Sequence, residues 1–251
     1  MKILMVLLVV TAFIAGCVDS SSDGDSSDVG VGGSTAQFVI QQGHLITVEP
    51  DRIQLFDLAD SFSPELVSSY KPTGRLDVET VFPYQNNRLL FGTTEGVVIM
   101  DHSTPGTLTE VSFASHLTSC DPVIAQGNYM YVTLRDGRSC DRGFNAEKLN
   151  QLIVYDITDD TRPIRKTTVE LDQPWGLGIS GTSLFVCYAS GLKEYDVTNP
   201  INPVEVADYT ESCNDIIAST NPMIITGDDG IRLVEKDGPI LTELSTIQAG
   251  Q

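Results

Sequence analysis

LKEYDVTNPINPVEVADY, Leu192–Tyr209, decides the fold, because it is one of five copies of a single unit. In each copy a mixed or apolar strand closes on an acidic residue. A turn built from Ser, Thr, Asn or Pro follows, and then a second strand. The other copies read IQLFDLADSFSPELVSSY from Ile53, VVIMDHSTPGTLTEVSF from Val97, LIVYDITDDTRPIRKTTVEL from Leu152 and IRLVEKDGPILTELSTI from Ile231. Their closing acids are Asp57, Asp101, Asp156, Asp196 and Glu235, spaced by 44, 55, 40 and 39 residues. A period near forty with all-strand content is the signature of propeller blades.

Working outward from Leu192, the same repeat divides into four strands. Trp175 to Ile179 reads as the inner strand and Leu184 to Tyr188 as the second. Leu192 to Asp196 is the third and Pro203 to Tyr209 the outer, with Gly181 and Gly191 at the turns. Glu95-Gly96, Ser190-Gly191 and Asp229-Gly230 read as tight hairpin turns, where glycine tolerates positive φ. The acidic pair Asp228-Asp229 reads as turn chemistry before it reads as a metal ligand set. The closing acids also have a structural reading: each carboxylate can accept the backbone N–H two or three residues on, as an Asx-turn. Pro163, Pro200 and Pro203 then fall where an outer edge tolerates proline. The expectation is an all-β chain, a five-bladed β-propeller of four antiparallel strands per blade over residues 36–251. Gln37 to Glu49 supplies the first two strands.

The N-terminus gives an address. Lys2 is followed by an apolar run, Ile3 to Gly16, too short to span a bilayer comfortably and suited to a signal peptide over residues 1–16. Its end, Ile14-Ala15-Gly16-Cys17, resembles the lipobox of bacterial lipoproteins, which implies that Cys17 becomes an acylated N-terminus and holds the chain to a membrane. In that family Asp directly after the cysteine favours the inner membrane. Here Val18 follows, which points to the outer membrane, although Asp19 comes next. Through residue 35 the sequence VDSSSDGDSSDVGVGGST lacks residues that could build a core, so 17–35 reads as an anchor and a flexible acidic tether.

The net charge of −19, with 15 Lys and Arg against 34 Asp and Glu, excludes nucleic acid as a partner. It suits solubility first, and attraction of cations or basic partners second. Five cysteines less Cys17 leave Cys120, Cys140, Cys187 and Cys213, an even number for an oxidising compartment. Three pairings are possible, and Cys120–Cys140 with Cys187–Cys213 is the favoured set. No Cys/His spacing suits zinc.

The segments LFDLADSFSP, LIVYDITDDTRP and LKEYDVTNPINP are similar to the LVIVD repeat of bacterial surface and exported proteins. SCDPVIAQGNYMYVTLRDGRSC, running into LNQLIVYDIT, and PWGLGISGTSLFVCYASGLKEYDVTNPINP carry the same resemblance, which covers Gln37 to about Ile247. It implies a β-propeller on a secreted or lipid-anchored protein and brings no general enzymatic activity. Repeats two and five depart from the pattern at His102-Ser103-Thr104 and Lys236-Asp237-Gly238. Repeat three carries an insert, Arg138 to Gln151, and long loops on rigid scaffolds often carry function.

No nucleophile elbow, phosphate-binding glycine loop or zinc-protease motif is present. His44, His102 and His116 lie in no metal spacing, and Asp101-His102-Ser103 is the repeat turn, since adjacent residues cannot adopt triad geometry. The repeat does place one ring of residues, at the start of each inner strand: Gln37, Glu79 or Thr80, Asp121, Trp175 and Asn214, with Asp215 next. In a propeller these surround one mouth of the axial channel. Trp175, the sole tryptophan, either packs between blades or stacks on a ligand. Two functions follow. The first is a non-catalytic binding or scaffolding lipoprotein of the cell envelope, with a protein or glycan partner and no cofactor. The alternative is a hydrolase with an acidic mouth. A calcium ion is the cofactor that mouth could hold, using Glu79, Asp121, Asn214 and Asp215.

Overall fold

The computed structural model describes residues 32–72, 77–85, 87–116, 122–136 and 150–249. Their regular elements are all strands, in five four-stranded antiparallel sheets whose order runs from inner to outer. Blade one is β1 (Phe38–Gln41), β2 (His44–Glu49), β3 (Arg52–Asp57) and β4 (Glu65–Tyr70). Blade two is β5 (Val78–Tyr84), β6 (Arg88–Thr93), β7 (Gly96–Asp101) and β8 (Thr109–Ser115). Blade three is β9 (Val123–Gln126), β10 (Tyr129–Leu134), β11 (Gln151–Asp156) and β12 (Ile164–Glu170). Blade four is β13 (Leu177–Ser180), β14 (Ser183–Tyr188), β15 (Gly191–Asp196) and β16 (Val204–Tyr209). Blade five is β17 (Asp215–Ile217), β18 (Met223–Gly227), β19 (Gly230–Asp237) and β20 (Ile240–Gln248). The blade count, the strand order and the placing of the first two strands in 37–49 agree with the repeat.

Four of the five closing acids make the expected turn. Asp57 accepts the N–H of Ala59 at 2.7 Å, Asp101 that of Ser103 at 2.6 Å, Asp156 that of Thr158 at 3.0 Å and Asp196 that of Thr198 at 2.7 Å. The Thr158 N–H, then its hydroxyl and Lys166, hold the Asp156 carboxyl down at about 2. Glu235 departs from this pattern. It lies inside β19, opposite Thr242, because the strand runs on to Asp237 and turns at Gly238. A register shift recurs between third and outer strands at one position in every blade: Leu55/Phe56, Ile99/Met100, Val154/Tyr155, Glu194/Tyr195 and Leu233/Val234. Such a bulge bends and twists the outer strand away from the sheet. Gly191 shows why the second hairpin needs glycine. Its φ is +146°, and a Cβ there would stand 2.0 Å from the Tyr209 carbonyl of the outer strand.

Neighbouring blades share buried cores. Ile46, Leu55, Leu89 and Phe91 fill the first junction, and Leu90, Ile99, Met130 and Ile153 the second. Tyr131, Val154, Leu184 and Tyr195 fill the third, and Phe185, Leu192, Ile225 and Val234 the fourth. The disulfide Cys187–Cys213 crosses this fourth junction. Among the described residues no fifth core joins blade five to blade one. Instead the N-terminal segment, on its way into blade one, ties blade five to blade two at the axis. Ser34 and Thr35 bond to Asp215 of blade five, and the Ala36 carbonyl accepts the N–H of Val81 in blade two. Ser34 and Thr35, read from the sequence as the end of the tether, are therefore part of the folded unit: their hydroxyls satisfy groups of the blades. Cys17, Cys120, Cys140, Asp121 and most of the insert lie outside the described residues.

His102, at the turn of blade two, is fully buried, and neither ring nitrogen has a hydrogen-bond partner. Its ring meets that of His44 edge-on, with centroids 5.0 Å apart. Burial, and then His44, push its pKa below the ordinary 6.5, against the pull of Asp101. A base lowered in this way contributes stability that is present above 6.5 and lost as pH falls toward its folded value. His102→Leu removes that term. The variant's melting temperature will therefore improve relative to wild type as pH is taken from 7 to 5, which a pH series of thermal melts checks.

Candidate mouth of the axial channel

The starts of the inner strands carry the residues singled out by the repeat, and two of them, Glu79 and Trp175, come together around one residue that sequence reasoning missed. Arg135 follows β10 of blade three. Its guanidinium carbon stands 3.6 Å from the centroid of the Trp175 ring, a cation–π stack. Burial draws the Arg135 pKa below its usual value, opposed by the nearby carboxylates of Asp136 and Glu79. Glu79 of blade two is the residue skipped at a bulge between Val78 and Thr80, which turns its side chain out of the regular alternation. Glu79, Arg135, Trp175 and Asn214 thus follow one another around the mouth, one from each of blades two to five.

Trp175 is held rigidly by its backbone. Its N–H donates to the Cys187 carbonyl at 2.7 Å, and its own carbonyl accepts the Thr133 hydroxyl at 2.6 Å. The residue remains 37% exposed, so packing between blades does not consume it. The next residue, Gly176, donates its N–H to the Asn214 carbonyl at 3.0 Å, and a Cβ there would stand 2.6 Å from that same oxygen. Only glycine allows blades four and five to approach so closely. The Asn214 amide donates to Asp228 at 3.2 Å. Asp228 is thereby engaged beside the hairpin that Gly230 closes. The insert in blade three also starts here: the Asn150 side-chain oxygen accepts the Asp136 N–H at 3.1 Å, which ties the two ends of the insert together beside Arg135.

Asp215 has a different part. Ser34 donates its hydroxyl to Oδ1 at 2.9 Å, while Thr35 donates its hydroxyl at 2.6 Å and its N–H at 3.2 Å to Oδ2. The Ser34 oxygen in turn accepts the Leu177 N–H at 2.7 Å. Burial raises the Asp215 pKa above 3.8 despite these bonds. The carboxylate is a latch for the N-terminal segment rather than an open ligand. Gln37 is exposed on blade one, where its carbonyl accepts the Val48 N–H; among the described residues no hydrogen bond or ion pair joins it to the other four. Among the described residues no three His, Cys, Asp or Glu side chains gather closely enough to hold a metal ion.

Within the ring of inner strands lies a cavity of about 230 Å³, lined mainly by Phe82, Ile124, Leu177, Ile179 and Ile216, with Gln126 as a polar point. Gly32 and Ser34 of the N-terminal segment border it. A larger cleft of about 370 Å³ opens between blades four and five near Ser183 and Lys236. Lys236 pairs there with Glu194 at 3.1 Å, and Ser183 and Tyr209 donate to the two Glu194 oxygens at 2.7 and 2.9 Å. Glu194 is a buried charge whose partners are all present, which is the condition for carrying one in a core.

No family model matches the chain, and no curated protein matches it. Solved structures do. A protein from Lactobacillus plantarum superposes with a TM-score of 0.63 at 14% identity, over 84% of this chain and 69% of its own. The periplasmic gluconolactonase of Pseudomonas aeruginosa gives 0.62 at 14%, over 85% and 68%. BamB from Moraxella catarrhalis gives 0.52 at 12%, over 83% and 59%. At these identities the likeness supports the propeller fold alone.

Proposed function

We propose that the chain is a lipid-anchored, non-catalytic binding or scaffolding protein of the bacterial cell envelope, with the propeller mouth as its recognition surface. The observation that carries this reading is the Arg135–Trp175 stack, a rigid and partly exposed indole beneath a desolvated guanidinium. Such a pair offers a partly exposed aromatic ring beside a cation, which suits stacking on a glycan or on a peptide side chain. The lipobox-like end at Cys17 and the LVIVD-like repeats support the address, and Val18 favours the outer membrane. The hydrolase reading finds less support. Asp215 is occupied by Ser34 and Thr35, Glu79 faces Arg135, and Asn214 is paired with Asp228.

Two experiments test the proposal. Metabolic labelling with a palmitate analogue will mark the wild-type chain in membranes, and Cys17→Ser will abolish the label and release the chain from them. Labelling that persists in the variant contradicts the anchor. Proximity labelling from the propeller in intact cells will recover a reproducible envelope partner; recovery of none contradicts the binding role.

A further inference from the structure

Three departures from the repeat meet at the cleft between blades four and five. Two positions before the closing acid the blades read Leu55, Ile99, Val154, Glu194 and Leu233. Leu55, Ile99 and Val154 are fully buried, and blade four buries a carboxylate in their place. One position after the closing acid stand Leu58, His102, Ile157, Val197 and Lys236, so only blade five puts an ammonium there. The third departure is Glu235 itself. It makes no Asx-turn, and among the described residues its carboxylate has no ion pair or hydrogen bond. Glu235 and Lys236 both line the cleft of about 370 Å³, and Lys236 reaches Glu194 at 3.1 Å. Stability does not account for this pair, since an apolar residue in place of a buried ion pair is often neutral or better. Local rules broken together at one spot mark a functional site.

The cleft lies beside the β13–β14 hairpin, at the far end of the inner strand from Trp175, and so is separate from the mouth. Its volume is that of a small-molecule site. Its wall mixes donors and acceptors: the Lys236 ammonium donates, the Glu235 carboxylate accepts, and the Thr220 hydroxyl and Asn221 carboxamide do both. Met223 adds an apolar patch. A ligand that matches this wall carries several hydroxyls on a skeleton with C–H faces. An anion does not match it. Glu194 already neutralises Lys236, and Glu235 leaves the cleft with one net negative charge. Lys236 is also held in place, because the Glu194 that grips it is itself fixed by the Ser183 and Tyr209 hydroxyls at 2.7 and 2.9 Å. We infer that this cleft is a second binding site, for a neutral saccharide, with Glu235 and Lys236 bonding its hydroxyls and Glu194 positioning Lys236.

Saturation-transfer NMR on the full-length chain in detergent tests the inference, with glucose, galactose, mannose and N-acetylglucosamine as probes and glucuronate as the anionic counterpart. At least one neutral sugar will receive saturation, and glucuronate will bind more weakly than that sugar. Glu235→Gln keeps the shape of an exposed side chain, so its melting temperature will stay near wild type while the affinity for the sugar falls about tenfold or more. Lys236→Met alone would strand the buried Glu194 charge, so it is paired with Glu194→Gln. That double variant will lose the sugar as well. If it fails to fold, Glu235→Gln still decides. Binding of none of the four neutral sugars overturns the inference. So does a sugar affinity that Glu235→Gln leaves unchanged, or glucuronate binding as tight as that of the best neutral sugar.

Discussion

Asp215→Ala will lower the folding free energy by about 3 kcal/mol, the largest loss expected from any single residue at the mouth. Three donors converge on this carboxylate: the Ser34 hydroxyl, the Thr35 hydroxyl and the Thr35 N–H. Alanine leaves them without an acceptor in a site too crowded for easy repair. A Cβ on Gly33 or Gly176 would meet the carboxylate oxygens at 2.0 and 2.3 Å. The segment that ties blade five to blade two at the axis then loses its hold. Asp215→Asn keeps one acceptor and removes a buried charge, so it will cost less. The pH dependence carries its own sign. Because burial raises the folded pKa above 3.8, the contribution of Asp215 is complete below 3.8 and is lost as pH rises through the folded value. Asp156, held at about 2, behaves oppositely: its contribution is present above 3.8 and is lost as pH falls toward 2. Denaturant melts of the three proteins across this range check the sign for Asp215, and the same series on Asp156→Asn checks that for Asp156. An alanine variant as stable as wild type would show that the latch carries no energy.

Replacing Cys187 and Cys213 together by Ala will cost about 3.5 kcal/mol by the chain-entropy estimate for a closed loop of this length. The bridge spans 26 residues and crosses from β14 of blade four to the loop before β17 of blade five. Both side chains are buried in the fourth junction, so alanine is the test that adds no polar group there. The expected result is a lower denaturation midpoint under oxidising conditions, with a reductant narrowing the gap to wild type. Equal midpoints for variant and oxidised wild type would remove the bridge from the stability of this junction.

The sequence makes legible what is local and repeated. Asp57, Asp101, Asp156 and Asp196 each act within two residues of themselves, so spacing and turn composition identify both the blade and the Asx-turn. Glu235 shares the position without the turn, because its strand continues. Contacts between distant segments are not readable in this way. Ser34 lies 181 residues from Asp215, and a Ser-Thr pair at the end of an acidic, glycine-rich stretch looks like tether. Arg135 is a cation at a strand end, with nothing in the adjoining sequence to announce Trp175, forty residues on. The signal that could have found it is the repeat: Arg135 directly follows the second strand of its blade, on the side where the inner strands begin.

The central claim is that the mouth formed by Glu79, Arg135, Trp175 and Asn214 recognises an envelope partner. Proximity labelling in intact cells, comparing wild type with Arg135→Ala and Trp175→Ala at matched expression and similar melting temperature, tests it most directly. The account predicts that the partner labelled by wild type is lost or strongly depleted in both variants. An unchanged set of labelled partners would contradict it.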